Sequence, residues 1–246
     1  MENKDASQTS KKFWGSAWAS EKWTKGTELI TIHMQRTAID FSYAMMGDLQ
    51  GKTVLEVGCG SGLQAVELAQ KGAKVTAIDL SESSVATVAK IADETDLPIM
   101  VKQMNAEAMS FVDESFDVVY INCVLMHVDQ EKVLSEGMRV LQKGGKLVFK
   151  ENIEQWLFRF PYRTFSPYDT MKPKYVSVKQ IQNFGAEHKE FYLFSTFFLF
   201  LFYVLKKSRF PGWLFNTIAV WDSKVLKHLP FLRQVSWVTV AWKQKI

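Results

Sequence analysis

Three glycines at alternate positions, Gly58, Gly60 and Gly62, follow an apolar run that carries one acid, Val54-Leu-Glu-Val57. Glycines so spaced let a backbone turn tightly and approach a ligand closely. Asp79 stands 21 residues after Gly58, at the end of the next apolar run. A carboxylate there can accept both hydroxyls of a ribose, and Leu80 beside it can lie against a purine ring. Two cofactor chemistries compete for this loop. Gly60-x-Gly62-x-x-Ala65 meets the looser dinucleotide pattern. But the glycines begin at Gly58, and Glu56 precedes them. A carboxylate under the loop repels a pyrophosphate and attracts an ammonium group, which favours a nucleoside bearing an amino acid.

The remaining chemistry-bearing residues are few. Four histidines, His33, His127, His188 and His228, show no HxxxH or HExxH spacing, and two cysteines cannot build a four-cysteine zinc site. No metal is expected. His127 follows an apolar run, and its ordinary pKa of about 6.5 suits proton transfer near neutrality. It is the candidate general base, the alternative being a residue that shapes its loop. His33 is a second candidate at the substrate side, and His188 and His228 sit among charges and read as solvated. Glu151 either orients an acceptor or caps a helix. Cys59 reads as a small filler of the glycine loop and Cys123 as a buried wall residue. Trp14 and Trp18 either wall a cofactor or pack as core.

Hydrophobic periodicity supplies the elements that position these groups. Phe13 to Met46 reads as helical. Strands and helices then alternate: strands over Lys52–Val57, Lys74–Leu80, Ile99–Met104, Phe116–Asn122 and Lys146–Glu151, with helices over Gly62–Gln70, Ser83–Ala92 and Glu131–Leu141. Gly144-Gly145 closes the last of these helices. Such alternation with short loops predicts a parallel sheet covered by helices on both faces, and ligands bind at the carboxyl ends of its strands. Ser177-x-x-Gln180 has the form of a capping box. The largely apolar stretch of 15 residues from Phe191 to Leu205 is too short to cross a bilayer as a helix, about 22 Å against roughly 30 Å. It reads as a buried strand running into a helix. An amphipathic segment over Trp213–Leu229 comes next, and then a last strand over Val235–Trp242.

With the motifs in order, the sequence resembles the class I S-adenosylmethionine (SAM)-dependent methyltransferases. Glu56-Val-Gly-Cys-Gly-Ser-Gly62 is similar to their (D/E)xGxGxG motif, and Asp79 to their ribose-binding acid. Asn105-Ala-Glu107 with Asp113-Glu-Ser-Phe-Asp-Val-Val119 resembles their DAE…SFDVV segment, with Asn105 in place of Asp. Asn122-Cys-Val-Leu-Met-His-Val128 and Leu141-Gln-Lys-Gly-Gly-Lys-Leu147 match two further motifs, Lys143 replacing a proline. The likeness covers about residues 50–152. It implies a Rossmann-like, doubly wound α/β sheet, mostly parallel with an antiparallel carboxy-terminal strand pair. It implies SAM as cofactor, held by Glu56, Gly58, Cys59, Gly60, Gly62, Asp79, Leu80, Asn105, Ala106, Glu107 and Asn122. Residues 1–50 are then an amino-terminal helical cap, 51–152 the SAM-binding core, and 153–246 the substrate side, with a lid over about 203–230. More loosely, the tail resembles bacterial lipid, glycan and secondary-metabolite methyltransferases, which places Arg159 and Arg163 with His33 and Glu151 at the acceptor.

Charge and composition bound the acceptor. The overall net charge is +4, but residues 1–155 hold 16 basic and 22 acidic side chains, and residues 156–246 hold 14 and 4. The last third also carries 23 of the 33 aromatics. Its basic residues are interleaved with long apolar runs, unlike a polar RNA groove, and no (D/N)PPY turn comes after the fourth strand. No nucleic-acid partner is expected. The polar start carries no secretory signal, so a cytoplasmic enzyme is expected, with peripheral contact to anionic membrane. The expected reaction is methylation of a small or lipid-like acceptor, at a hydroxyl oxygen. The alternatives are N- or C-methylation, a SAM-binding membrane-docking protein with little catalysis, and a nicotinamide oxidoreductase.

Overall fold

The computed structural model describes residues 28–153, 173–191, 212–229, 232 and 236–246. A seven-stranded sheet forms its centre, in the order β3-β2-β1-β4-β5-β7-β6. The strands are β1 (Thr53–Val57), β2 (Lys74–Asp79), β3 (Ile99–Gln103), β4 (Phe116–Asn122), β5 (Leu141–Asn152), β6 (Glu187–Phe191) and β7 (Val238–Gln244). The first five run parallel to one another, while β7 runs antiparallel between β5 and β6. The order reverses between β1 and β4, and the crevice at that switch point is where such sheets take ligands.

The helices are α1 (Glu28–Met46), α2 (Leu63–Gln70), α3 (Glu82–Thr95), α4 (Gln130–Val140), α5 (Val178–Phe184) and α6 (Gly212–His228). Central strands are apolar on both faces because both are covered. Val54, Val118, Tyr120, Val148 and Val240 pack with Ala38, Ile39 and Tyr43 of α1. Leu55, Val119, Ile121, Leu147 and Phe149 pack with Val133 and Val140 of α4. Capping fixes where helices begin. Ser81 accepts the Ser84 N–H, Asp129 the Lys132 N–H, and Ser177 with Gln180 forms the expected capping box.

Three expectations are corrected. The glycines at 144–145 do not close α4; the helix ends at Val140 and passes directly into β5, where the register shifts between Phe116 and Val118. A Cβ on Gly145 would lie 2.7 Å from the Asp117 carbonyl, so the close approach of β4, not a helix stop, requires that glycine. Strand β6 is Glu-His-Lys-Glu-Phe and so begins at Glu187, before the apolar run expected to hold the strand, of which only Phe191 is described. It is an edge strand, where charges are tolerated and discourage pairing with another chain. His188 is not solvated: it is largely buried, with Nε2 3.4 Å from Glu190. Trp14, Trp18 and residues 192–205 lie outside the described residues. No helix among the described residues is long and apolar enough to cross a membrane.

Candidate functional site

Strand β1 delivers Glu56 to the carboxyl ends of the sheet fully buried, and the chain then turns through the glycines. Gly58, Gly60 and Gly62 all have positive φ, which L-residues rarely adopt. Two of them are also demanded by packing. A Cβ on Gly58 would collide with the Val124 side chain, and one on Gly62 would lie 2.8 Å from Val88 Cγ2. The loop's N–H groups are used within the protein. Those of Gly58 and Cys59 donate to the Ile78 carbonyl at 2.8 and 3.1 Å, and that of Gly62 to the Cys59 carbonyl at 2.8 Å. The Gly60 N–H donates to Asp79 Oδ2 at 3.0 Å. The loop therefore offers a pyrophosphate none of these four N–H groups.

It is well equipped for a cation. Glu56 Oε2 is buried without a hydrogen-bond partner, and burial together with the nearby Asp79 carboxylate pushes the Glu56 pKa up to about 8. Burial also raises Asp79, opposed by the N–H groups of Ser81, Gly60 and Leu80. An orphaned carboxylate oxygen beside a second carboxylate is the environment an ammonium group completes. The residues present therefore fit the amino-acid end of SAM. Leu80 flanks Asp79, half-buried, and Cys59 is buried, as expected of a loop filler.

The segment expected to meet adenine, Asn105 to Glu107, is organised by its own side chains. Asn105 Oδ1 accepts the Glu107 N–H at 2.9 Å, and Glu107 Oε1 accepts the Asp129 N–H at 2.9 Å. The segment around Ala106 is thereby tied to the start of α4. Arg139 braces the loop from Met109 to Asp113, donating to the carbonyls of Phe111 and Met109 and to Glu136 and Asp113.

Beyond β4 the chain makes a 3-10 turn, Leu125–His127. Glu151, at the end of β5, caps it: Oε1 accepts the N–H groups of Val124 and Leu125 at 2.7 and 2.9 Å. Of its two expected roles, the structure shows the cap. Its Oε2 has no partner, and burial lifts the carboxyl to about 7. His127 sits at the end of this turn, and burial depresses it to about 4, so the imidazole is neutral at pH 7. Residues 173–180 return beside the turn, with the Lys174 N–H on the Met126 carbonyl at 2.9 Å and Gln130 Nε2 on the Lys174 carbonyl at 2.7 Å.

Helix α1 runs antiparallel to β5. Its Met45 carbonyl accepts from Lys146 Nζ at 3.0 Å, and its Ser42 Oγ lies 3.2 Å from Oη of Tyr120, which pairs with Val148. Its amino-terminal half, with His33 in it, is therefore directed toward the carboxyl ends of the strands. The His33 side chain, Arg159 and Arg163 lie outside the described residues. Sequence reasoning missed Lys150, whose fully buried Nζ donates to Asn122 Oδ1 at 3.0 Å and Cys123 Sγ at 3.2 Å. Among the described residues no group of three or more His, Cys, Asp and Glu could hold a metal ion.

Residues 55–149 match the family described as "Methyltransferase domain". Residues 55–149 thus form a methyltransferase domain of the class I SAM-dependent kind. It is 31% identical over 148 residues to a ubiquinone biosynthesis O-methyltransferase of Alkalilimnicola ehrlichii, covering 58% of this chain and 60% of that protein. It is 33% identical over 148 residues to the protein of that name from Idiomarina loihiensis, covering 58% and 61%. The match thus spans less than two thirds of these relatives' own length. The fold is similar to a geranyl diphosphate C-methyltransferase of Streptomyces coelicolor A3(2), with a TM-score of 0.60 at 15% identity, covering 86% of this chain and 77% of that one. It is similar too to Haemonchus contortus phosphoethanolamine N-methyltransferase 2, at 0.58 and 18%, covering 84% and 52%. The methyltransferase family's SAM chemistry agrees with the loop geometry, and the nicotinamide alternative is set aside.

Proposed function

We propose that the protein transfers a methyl group from SAM to a hydroxyl oxygen of a small or lipid-like acceptor. The observation that carries the reading is Glu56, a buried carboxylate with an unpartnered oxygen beneath a loop that spends the N–H groups of Gly58, Cys59, Gly60 and Gly62 within the protein. In this reading Glu56 receives the amino-acid ammonium, Asp79 the ribose hydroxyls, and Leu80 with Asn105, Ala106 and Glu107 the adenine. The bound cofactor supplies an electrophilic methyl on a sulfonium. Methyl transfer consumes that positive charge, so the protein's work is to align the acceptor oxygen and exclude water. His127, whose imidazole is neutral at pH 7, takes the acceptor proton. His33, Arg159 and Arg163 belong to the acceptor side, and Glu151 holds the turn that carries His127. A hydroxyl acceptor is favoured over nitrogen or carbon by the relatives named for O-methylation.

The lipid-like character of the acceptor, and a peripheral contact with anionic membrane, are supported by α6. One stripe of this helix, Thr217, Val220, Trp221, Lys224, Lys227 and His228, is exposed. Trp221 is 64% and Val220 55% exposed, while the opposite side buries Asp222 and Leu226. An apolar aromatic centre flanked by cations, with no acid on the stripe, suits a headgroup boundary. The test of the enzymatic reading is transfer of labelled methyl from SAM to extracts of small phenols, alcohols and isoprenoid lipids. Label recovered as a base-stable methyl ether supports it, and label only on nitrogen or carbon rejects the oxygen acceptor.

A further inference from the structure

Among the described residues, Lys150 is a buried cation without a counter-ion. It lies in β5 opposite Asn122 of β4, on the sheet face that also carries Tyr120 and Glu56. Both acceptors of its Nζ are neutral: an amide oxygen, and a Cys123 thiol whose ionisation burial opposes. No carboxylate among the described residues comes within ion-pair distance of Nζ. Glu151 leads to the opposite face and binds the N–H groups of the 3-10 turn. An ammonium carries three protons, so one remains to be satisfied. A buried charge without an ionic partner is costly, and no described residue supplies that partner.

The surroundings point the same way. Asn122 and Cys123, both partly buried, end β4, so Nζ lies at the carboxyl end of the sheet beneath them. Cys123 has φ +58, a left-handed conformation that a non-glycine residue adopts at a cost. Its N–H donates to the Lys150 carbonyl at 2.9 Å while its Sγ accepts from Nζ. The strained residue thus grips the lysine at both ends. It also begins the segment that leads to His127. An imidazole depressed to about 4 is a poor match for a phenol of pKa about 10, and poorer still for an alcohol. A cation beside the acceptor oxygen narrows that gap.

We propose that Lys150 binds the acceptor oxygen in its anionic form, which makes phenols and enols, rather than aliphatic alcohols, the substrate class. This rests on the methyltransferase reading above. In the step, the acceptor O–H gives its proton to His127 or water. A lone pair of the resulting anion forms the O–CH3 bond, and the methyl–sulfur bond breaks with its electron pair left on sulfur, turning the sulfonium into a thioether.

The test uses 4-nitrophenol, whose ionised form absorbs visible light, bound to the full chain loaded with S-adenosylhomocysteine. The ionisation midpoint of the bound probe is read by absorbance against pH in wild type, Lys150→Met and Lys150→Arg. The proposal expects the wild-type midpoint to lie at least one pH unit below that of Lys150→Met, with Lys150→Arg keeping most of the shift. It is overturned by equal midpoints, or by a wild type that does not bind the probe. Should Lys150→Met fail to fold, the wild-type midpoint must still lie below that of free probe, and a midpoint at or above it overturns the proposal. Calorimetry of S-adenosylhomocysteine on the same wild-type sample separates the two readings. Binding without a midpoint shift rejects Lys150 alone, and no binding rejects the methyltransferase reading.

Discussion

At the scale of single residues, the site is a set of buried titratable groups held away from their ordinary charge states. Glu56 and Glu151 are raised to about 8 and about 7, so the folded protein keeps protons that the unfolded chain has released above its ordinary value of 4.5. Their contribution to stability is present below that value and is lost as pH rises through 7 and 8. His127 runs the other way: depressed to about 4 from 6.5, its contribution is present above 6.5 and lost as pH falls toward 4. Glu56→Gln should therefore raise the thermal midpoint at pH 8 while weakening SAM binding. An unchanged midpoint at pH 8 would contradict the burial argument. Because an ammonium favours ionised Glu56, SAM binding at pH 7 should release a proton, seen as a binding heat that varies with the buffer's ionisation enthalpy. Asp79→Ala should cost about 1.5–3 kcal/mol of SAM affinity by calorimetry, typical of hydrogen bonds to a charged group. His127→Ala should lower turnover by about 10²–10⁴-fold. Turnover that survives would leave positioning as the sole role of that turn. Glu56 and Asp79 were legible in the sequence because one lies two residues before the glycines in β1 and the other ends the next strand, after one short helix. The use of the loop's N–H groups by Ile78 and Asp79 was not, since it depends on how β2 lies beside the loop. Nor was Lys150, because a lysine ending Lys-Leu-Val-Phe-Lys reads as the solvated side of a strand.

At the scale of elements, what the sequence showed well was local. Strand β4, the start of α5 and its capping box follow from alternation and from side chains three residues apart. What it hid depended on neighbours. Strand β6 is recognisable only through its pairing with β7, and the extension of β5 back to Leu141 only through its pairing with β4 at Phe116. Helix α6 was legible as amphipathic, but which side would face outward was not. Its exposed stripe gives a direct expectation: the protein should float with vesicles containing phosphatidylserine at low salt and release at high salt. Each basic residue near an anionic surface contributes about 1 kcal/mol, screened within a Debye length of about 10 Å at 0.1 M. Lys224→Glu with Lys227→Glu should abolish flotation and leave SAM affinity unchanged. No flotation of wild type at low salt would reject the membrane contact.

At the scale of the whole molecule, the acidic front and basic, aromatic tail divide the labour of the chain. The front builds the parallel half of the sheet and the loop under which Glu56 lies. The tail adds β6 and β7 to the sheet and presents α6. The doubly wound architecture was readable from strand-helix alternation, because each crossover is short and leaves a parallel sheet few arrangements. The position of β7 between β5 and β6 was not, since two antiparallel edge orders bury the same residues. The central claim is that this sheet's switch point binds an amino-acid-bearing nucleoside. Its most direct measurement is calorimetry of SAM and of NAD, each titrated into the full chain at pH 7. The account predicts that SAM binds with proton release and that NAD does not compete. Binding of NAD in preference to SAM, or no binding of SAM, would contradict it.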